Sequence, residues 1–274
     1  MKKFSNILTI IALIVILVLI GTISYGYYKN ITMEVKNPIV TMEVQDYGVI
    51  KLELYPEEAP EAVANFIALA KNGYYNGLKF HRVVKDFMIQ GGDKNGDGTG
   101  APELSDLGLV SEEDEKNREY SITGEFLANG YENKLKNKEG TIAMARADYT
   151  SYSSQLATES YNSAGSQFFI NTVDNSSLDG NYAVFGKVIE GMDVVHAIEN
   201  VEVKSAEDET TESTDSESSE TQAEVSTPVT DVIISNVSVE TYGIDYGMPE
   251  TLEPFDYYNW IYQTYGIDLT QSLS

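Results

Sequence analysis

The sequence predicts a mainly β domain, an all-β barrel or sandwich with helical caps, behind an N-terminal transmembrane helix. Three observations lead to this prediction. Short runs of alternating apolar and polar residues, the period of a β-strand, recur between turn residues along most of the chain. Only two segments after residue 30 show the spacing of an amphipathic helix. A long apolar run follows two lysines at the N-terminus.

Composition limits the function classes that are open to this chain. Its 274 residues, 42% of them hydrophobic, are enough for one large domain with a sizeable core. The formal net charge of -25 argues against nucleic acid as a partner, because phosphate backbones bind basic surfaces. The absence of cysteine excludes disulfides, thiolate metal sites and cysteine nucleophiles. With only two histidines, His81 and His196, a histidine-rich metal centre is not expected either.

Residues 1–30 are predicted to anchor the protein in the cell membrane, and a cleaved signal segment is the alternative. Two lysines precede an apolar run over residues 7–23, which is close to the length that spans a bilayer. Residues 24–26 make a poor cleavage site, which favours an uncleaved, single-pass anchor. Because the positive charge precedes the span, the N-terminus is predicted to lie inside the cell and everything after Lys29 on the extracytoplasmic side; the protein is secreted if the segment is cleaved.

A tether over residues 31–37 is predicted to join this anchor to a folded domain over residues 38–240. Residues 38–55 alternate on both sides of Asp46-Tyr47-Gly48 and predict a hairpin. Helical spacing follows from Ala62 and stops at Gly73. The remaining elements are strands predicted at 77–93, 119–126, 140–146, 163–171, 181–189 and 229–240, and a second helix at 192–198.

Three insertions and a tail extend this pattern. The insertions at 103–120 and 148–160 are polar and predict loops. The insertion at 204–227 is rich in acids, Ser and Thr, cannot bury enough apolar surface to fold, and predicts a disordered excursion without a binding role. The tail, residues 241–274, is rich in tyrosine and is expected to pack on its own domain or against a partner.

The most informative stretch of the sequence is residues 80–93. It places a fixed cation, Arg82, a few residues before Phe87, Met88 and Gln90. A strand that presents these four side chains can line a shallow apolar groove with strong hydrogen-bond donors at its edge. Such a groove suits an apolar ring that lies next to a carbonyl group.

At this point the sequence resembles the cyclophilins, a family of peptidyl-prolyl cis-trans isomerases. The resemblance rests on residues 80–93, on Gly140 to Arg146, on Ser163 to Ile170, and on Leu178-Asp179-Gly180 with the strand after it. It extends over about residues 38 to 240. It implies a closed eight-stranded antiparallel barrel capped by two α-helices, with the substrate groove on its outer face.

The resemblance also implies the site residues. Arg82 is matched to the catalytic arginine, and Gln90 to a glutamine that orients it or contacts the substrate carbonyl. The substrate-binding positions are Phe87, Met88, Ala145, Arg146, Gln167, Phe169, Leu178 and Tyr182. Three residues depart from the common pattern: Arg146 replaces an asparagine, Ser177 a tryptophan and Tyr182 a histidine.

The implied function is catalysis of rotation about X-Pro peptide bonds, which assists the folding of exported proteins. The expected partners are proline-containing unfolded or flexible polypeptides, and the protein is expected to be a monomer without a cofactor or metal. The alternative is a cyclophilin-like module that binds peptides or acts as a chaperone with little turnover. A third possibility is a calcium-regulated surface protein.

Two other features are expected to be structural. The run Asp93-Lys94-Asn95-Gly96-Asp97-Gly98 matches the start of a calcium loop, but the glutamate that should close it is out of register. His81 is expected to be a buried, hydrogen-bonded core residue, and His196 a helix-face residue without a ligand role.

Overall fold

The computed structural model describes residues 11, 13–25, 36–204 and 226–266. The chain divides into two units, residues 1–36 and residues 37–274. In the first unit, residues 11 and 13–25 are helical, and their isoleucine, leucine and valine side chains are exposed. Across the described ranges, no helix has both the length and the hydropathy needed to cross a bilayer. The predicted transmembrane helix therefore finds no support in this structure, and nearly all of the predicted disordered excursion lies outside the described residues.

The second unit is built mainly from β-strands. In chain order they are β1 (Ile39–Val44), β2 (Gly48–Leu54), β3 (Arg82–Val84), β4 (Met88–Gly91), β5 (Ser121–Ile122), β6 (Thr141–Met144), β7 (Phe168–Asn171), β8 (Val184–Glu190), β9 (Ile234–Glu240) and β10 (Thr251–Leu252). One antiparallel sheet of eight strands has the order β3-β4-β7-β6-β8-β2-β1-β9, and β10 pairs with β5. The predicted hairpin is confirmed as β1 and β2, whose ladder runs from Ile39 opposite Glu53 to Val44 opposite Gly48.

The prediction of a closed barrel is wrong, because the sheet curls without closing. Its edge strands β3 and β9 share no ladder. Just before them, an isolated bridge joins Lys79 to Ile233, and the Phe80 N–H donates to the Val232 carbonyl at 2.9 Å. The strand β3 is only three residues long, and its central N–H, that of Val83, donates to the Ser226 carbonyl instead of to β9.

Among the described residues of this unit, four α-helices accompany the sheet. They are α1 (Pro60–Lys71), α2 (Ala157–Tyr161), α3 (Met192–Glu199) and α4 (Tyr257–Tyr265). The two predicted helices are confirmed as α1 and α3, whereas α2 and α4 lie in the second insertion and in the tail. The N-terminus of α1 is capped from a distance, since the carboxylate of Glu125 accepts the N–H groups of Glu61 at 3.0 Å and Ala62 at 2.9 Å.

The core lies between α1 and the concave face of the sheet. At its centre the Phe66 ring contacts the rings of Tyr75 at 4.8 Å, Phe185 at 5.5 Å and Phe168 at 5.7 Å between centroids. All four rings are fully buried. A second, smaller apolar cluster, formed by Met88, Ala143, Phe169 and Val184, is separate from this core.

Candidate active site

A tight turn determines where the predicted site residues lie. Residues 77–93 were predicted to form one strand, and this prediction is wrong, since they form the hairpin of β3 and β4. Arg82 lies opposite Gln90, and Val84 lies opposite Met88. The turn between them contains Asp86 at a φ of 55°, which is left-handed and uncommon for a residue with a side chain. The hairpin thus places Arg82 and Gln90 side by side and leaves Phe87 at the turn.

The hairpin forms one wall of a cavity of about 180 Å³, here called the Arg82 cavity. Strands β6, β7 and β8 follow β4 in the sheet, so residues from distant parts of the sequence complete the lining. The lining residues are Arg82, Phe87, Met88, Gln90, Ala145, Arg146, Phe169, Leu178 and Tyr182. Every predicted site residue except Gln167 is therefore brought together around one hollow.

The base of the Arg82 cavity is apolar. It is the small cluster described above, in which Met88 and Phe169 are 1% and 4% exposed. Phe87, Leu178 and Tyr182 are partly buried and pack on this cluster. The Tyr182 ring stands edge-on to Phe169, at 5.4 Å and 87°. A small apolar ring bound here is held by dispersion contacts and by the exclusion of water.

One edge of the cavity carries the Arg82 guanidinium. Its Nη1 lies 3.5 Å from Gln90 Oε1 and 3.6 Å from Met88 Sδ. Both contacts are longer than a strong charge-assisted hydrogen bond. Guanidinium stays protonated at all physiological pH values and has five N–H donors. The arrangement therefore places a permanent donor beside an apolar hollow.

Behind Arg82, the side-chain amides form a relay. Gln90 Nε2 donates to Gln167 Oε1 at 3.0 Å, and Gln167 Nε2 donates to the carbonyls of Gly98 at 3.0 Å and Gly100 at 3.2 Å. The predicted substrate-binding residue Gln167 thus supports Gln90 from behind and does not line the Arg82 cavity. In the relay the NH2 group of Gln90 donates to Gln167. The carbonyl oxygen of the Gln90 amide is therefore directed the other way, towards Arg82.

Arg146 also lines the cavity, but neighbouring groups hold its guanidinium. Its Nε donates to the Asn181 carbonyl at 3.1 Å, and its Nη1 donates to Ser160 Oγ at 2.9 Å and to the Ala147 carbonyl at 3.2 Å. Three aromatic rings surround it, with centroids 4.8 to 5.6 Å from Cζ: Tyr182, Tyr161 and Phe126. These are cation–π distances. The charge and the N–H groups of Arg146 are therefore engaged mainly by other groups of the protein.

A second cavity of about 400 Å³, here called the flanking cavity, adjoins the first. The two share Gln90, Ala145 and Arg146. The flanking cavity is otherwise lined by Gly98, Thr99, Gly100, Ala101, Glu119, Tyr120, Ser121, Ala147, Tyr149, Ser163, Gly165, Ser166, Gln167, Pro254 and Phe255. Four predicted site residues, Gln90, Ala145, Arg146 and Gln167, line it, but sequence reasoning did not predict a second cavity or the contribution of the tail to it. The aromatic richness of the tail was the one available signal, and it did not indicate where the tail packs.

Neither histidine lines either cavity. His81 is buried as predicted, but its predicted hydrogen bond is absent, since neither ring nitrogen has a partner among the described residues. Burial therefore lowers its pKa. His196 lies on α3 and contacts Glu199 at 2.9 Å and Glu139 at 3.0 Å, and the hydrogen bond to Glu199 raises its pKa.

In the loop that resembles a calcium site, the Asp93 side chain binds the backbone of the residues that follow it. The Asp93 carboxylate is buried and accepts the N–H groups of Asn95 at 3.3 Å, Asp97 at 2.8 Å and Gly98 at 2.6 Å. Among the described residues, no group of three or more His, Cys, Asp or Glu side chains could hold a metal ion. Asp93 therefore shapes the loop whose carbonyls bind Gln167.

Comparison with known proteins identifies the family to which this geometry belongs. The family model described as "Cyclophilin type peptidyl-prolyl cis-trans isomerase/CLD" matches residues 39–221. The chain belongs to the cyclophilin family. The match covers the hairpin of β3 and β4 and all of the strands that line the Arg82 cavity.

Individual cyclophilins agree with this assignment. A peptidyl-prolyl cis-trans isomerase of Acinetobacter baylyi is 41% identical over 170 residues, which are 60% of this chain and 73% of that protein. The human peptidyl-prolyl cis-trans isomerase-like 1 is 37% identical over 158 residues, 58% of this chain and 78% of that protein. This chain is therefore a peptidyl-prolyl cis-trans isomerase of the cyclophilin type.

A solved structure gives the same fold. The Cryptosporidium parvum cyclophilin type isomerase, crystallised in the presence of the dipeptide Ala-Pro, matches with a TM-score of 0.54 and 27% identity. The match covers 74% of this chain and 98% of that one. The curled, mainly β sheet with its helices is the cyclophilin fold.

Proposed function

We propose that Arg82 is the catalytic group of this isomerase and that the Arg82 cavity holds the proline ring of the substrate. The observation that carries the proposal is the position of the guanidinium beside a hollow whose base is apolar. Phe87, Met88, Phe169 and Leu178 hold the pyrrolidine ring. Rotation then takes place about a proline that is fixed in position.

The reaction requires no nucleophile and no proton transfer. An amide resists rotation by about 18–20 kcal/mol because twisting removes its resonance. In the twisted form the prolyl nitrogen has a localised lone pair, which can accept a hydrogen bond. A guanidinium N–H that donates to this lone pair stabilises the twisted form more than either planar form, and this preference accelerates the reaction. Each 1.36 kcal/mol of such preference gives about a tenfold increase in rate.

Gln90 and Gln167 serve as positioning residues in this proposal. Arg82 has several rotatable bonds, and a free guanidinium would sample many positions. The contact of 3.5 Å between Gln90 Oε1 and Arg82 Nη1 restrains the guanidinium. The amide relay to the carbonyls of Gly98 and Gly100 restrains Gln90 in turn.

The test is an isomerase assay on a short Xaa-Pro peptide with the full chain and two variants. Arg82→Ala is expected to lower kcat/KM by about 100-fold or more, the effect of removing a donor aimed at developing charge. Arg82→Lys keeps the charge and loses the planar donor, so its activity should lie between the two. Undiminished activity in Arg82→Ala, with a thermal midpoint close to that of the wild type, would overturn the assignment.

The same assay separates the enzyme from the alternative, a peptide-binding module with little turnover. Peptide binding without acceleration by the wild-type chain would favour the module. The lining of the Arg82 cavity contains the arginine, the glutamine and the apolar residues that rotation needs. This composition supports the hypothesis of an enzyme over that of a binding module.

We propose further that the N-terminal segment tethers the isomerase to a membrane with its β domain on the outer side, where exported polypeptides fold. The support is the apolar run at residues 7–23 behind two lysines. Proline-containing, unfolded exported chains are the proposed clients. Flotation of the full chain with lipid vesicles, compared with a chain that starts at residue 31, tests this proposal. Equal recovery of both chains in the unbound fraction would contradict it.

A further inference from the structure

The C-terminal tail crosses the domain and is fixed at several points before it reaches the flanking cavity. β10 pairs with β5, with Thr251 opposite Ile122 and Leu252 opposite Ser121. Upstream, the Glu250 N–H donates to Glu61 Oε2 at 2.7 Å. These contacts set the position of the residues that follow.

Two tail residues, Pro254 and Phe255, form part of the wall of the flanking cavity. The Phe255 ring contacts the Tyr149 ring edge-on, with 5.1 Å between centroids. Tyr149 belongs to the insertion at 148–160 and also lines the cavity. Tyr257, at the start of α4, stacks on Tyr149 at 6.1 Å and contacts Tyr152 at 4.6 Å. The tail and the insertion therefore build one aromatic wall together.

The flanking cavity lies within reach of a peptide whose proline occupies the Arg82 cavity. Gln90, Ala145 and Arg146 line both cavities, so the two cavities adjoin each other. An extended chain advances by about 3.3–3.6 Å per residue. A residue close to the proline in the substrate sequence can therefore direct its side chain into the flanking cavity.

One wall of the flanking cavity is formed by rings, and hydroxyl and amide groups, such as those of Thr99, Ser163 and Gln167, line other parts of it. The ring surfaces come from Tyr149, Pro254 and Phe255, and Gly98, Gly100 and Gly165 line the cavity without a side chain. The charge of Arg146 is engaged by carbonyls, a hydroxyl and three rings. The other charged lining residue, Glu119, is exposed to solvent. Aromatic rings in contact prefer edge-on or offset partners, which Phe255 and Tyr149 can provide.

We propose that Phe255, supported by Pro254 and Tyr149, is a specificity-determining residue: the flanking cavity selects X-Pro substrates with an aromatic side chain next to, or close to, the proline. This inference rests on the proposed role of the Arg82 cavity, because it places the proline there. The tail is then part of the substrate site, and the isomerase prefers a subset of prolines.

The experiment compares peptides that carry Phe or Gly at successive positions before and after an Ala-Pro pair. For the full chain, kcat/KM with Phe is expected to exceed that with Gly by about fivefold or more at one position, the size of a good aromatic contact. Phe255→Ala should reduce this ratio towards one, and Phe255→Leu, which keeps bulk but lacks the ring, should reduce it in part. Tyr262→Ala, another exposed tail aromatic that does not line the cavity, should leave the ratio unchanged.

Three outcomes would overturn the inference. One is an equal kcat/KM for the Phe and Gly peptides at every position. Another is a ratio that Phe255→Ala leaves intact. The third is a uniform increase in kcat/KM for all peptides in Phe255→Ala, which would mean that the tail obstructs the groove. Titration of the same peptides gives their Kd values directly, so the preference is measured even if Arg82 is not the catalytic group.

Discussion

Two arginines line the same cavity in different surroundings. Arg82 Nη1 contacts Gln90 Oε1 at 3.5 Å and Met88 Sδ at 3.6 Å, on the hairpin of β3 and β4. Arg146 is bound at 2.9 to 3.2 Å by two carbonyls and a hydroxyl, inside a box of aromatic rings. The role proposed for Arg82 needs an N–H group that can reach the substrate amide, whereas the contacts of Arg146 hold it within the wall of the cavity. The same residue type can thus be placed for two different tasks at one site.

The largest effect expected from this comparison concerns stability. Arg146→Ala removes the hydrogen bonds to Asn181, Ala147 and Ser160 and the cation–π contacts, and should lower the free energy of unfolding by about 3 kcal/mol or more. Arg82→Ala removes the contacts with Gln90 and Met88 but leaves the rings and hydrogen bonds around Arg146 in place, so we expect it to lower the free energy of unfolding by less than Arg146→Ala does. Urea denaturation of both variants measures the difference. Equal losses would contradict the distinction between the two arginines.

The second expected effect is a dependence of the unfolding free energy on pH. It involves the segment that contacts Arg146. Glu125 precedes Phe126, whose ring contacts Arg146, and burial raises the pKa of Glu125 to about 7 from 4.5. A carboxyl group whose pKa is raised on folding contributes stability that is fully present below pH 4.5 and is lost as pH rises through 7. The loss should amount to roughly 2–3 kcal/mol.

Denaturant unfolding of the wild type and of Glu125→Gln between pH 4.5 and 7.5 measures this contribution. The glutamine does not titrate, so the difference in unfolding free energy between the two proteins should change across that range. A constant difference would show that Glu125 is not the titrating group.

The smallest of the three effects concerns the Arg82 side. Gln167→Ala breaks the relay that restrains Gln90. With an Ala-Pro peptide flanked by glycines, which puts no side chain into the flanking cavity, it should lower kcat/KM by about tenfold, mainly through kcat, since the cavity that holds the proline ring is unchanged. Gln155→Ala, at an exposed position in the second insertion, is the matched control. A change in KM alone would mean that Gln167 contacts the substrate and does not position Gln90.

Much of the fold and most of the site could be predicted from local patterns. The alternation on both sides of Gly48 and the spacing of Ala62, Phe66 and Leu69 are local, and they gave β1, β2 and α1 correctly. The run from Arg82 to Gln90 placed four side chains at one cavity, because cross-strand neighbours in a tight hairpin are also close in sequence.

The errors arose where the decisive contact is not local. Residues 77–93 read as one strand because their alternation continues through the turn, and Asp86, which reverses the chain at a φ of 55°, is not a glycine. A closed barrel was predicted because the alternation of apolar and polar residues does not show which strands pair at the edges of the sheet. The Val83 N–H donates to the carbonyl of Ser226, which is far along the chain, and not to β9. The contact of Phe255 with Tyr149 likewise joins two segments whose compositions predict only that their aromatic rings become partly buried.

The pairing of β10 with β5 has a consequence for the order in which the site is completed. During synthesis from the N-terminus, every strand around Arg82 is made before Thr251 and Leu252 exist, so the aromatic wall is the final part of the groove to be installed. The same arrangement makes it separable. A single proteolytic cut near the exposed Gly243 or Gly247 would break the covalent link that joins Pro254 and Phe255 to the strands around Arg82, all of which precede the cut.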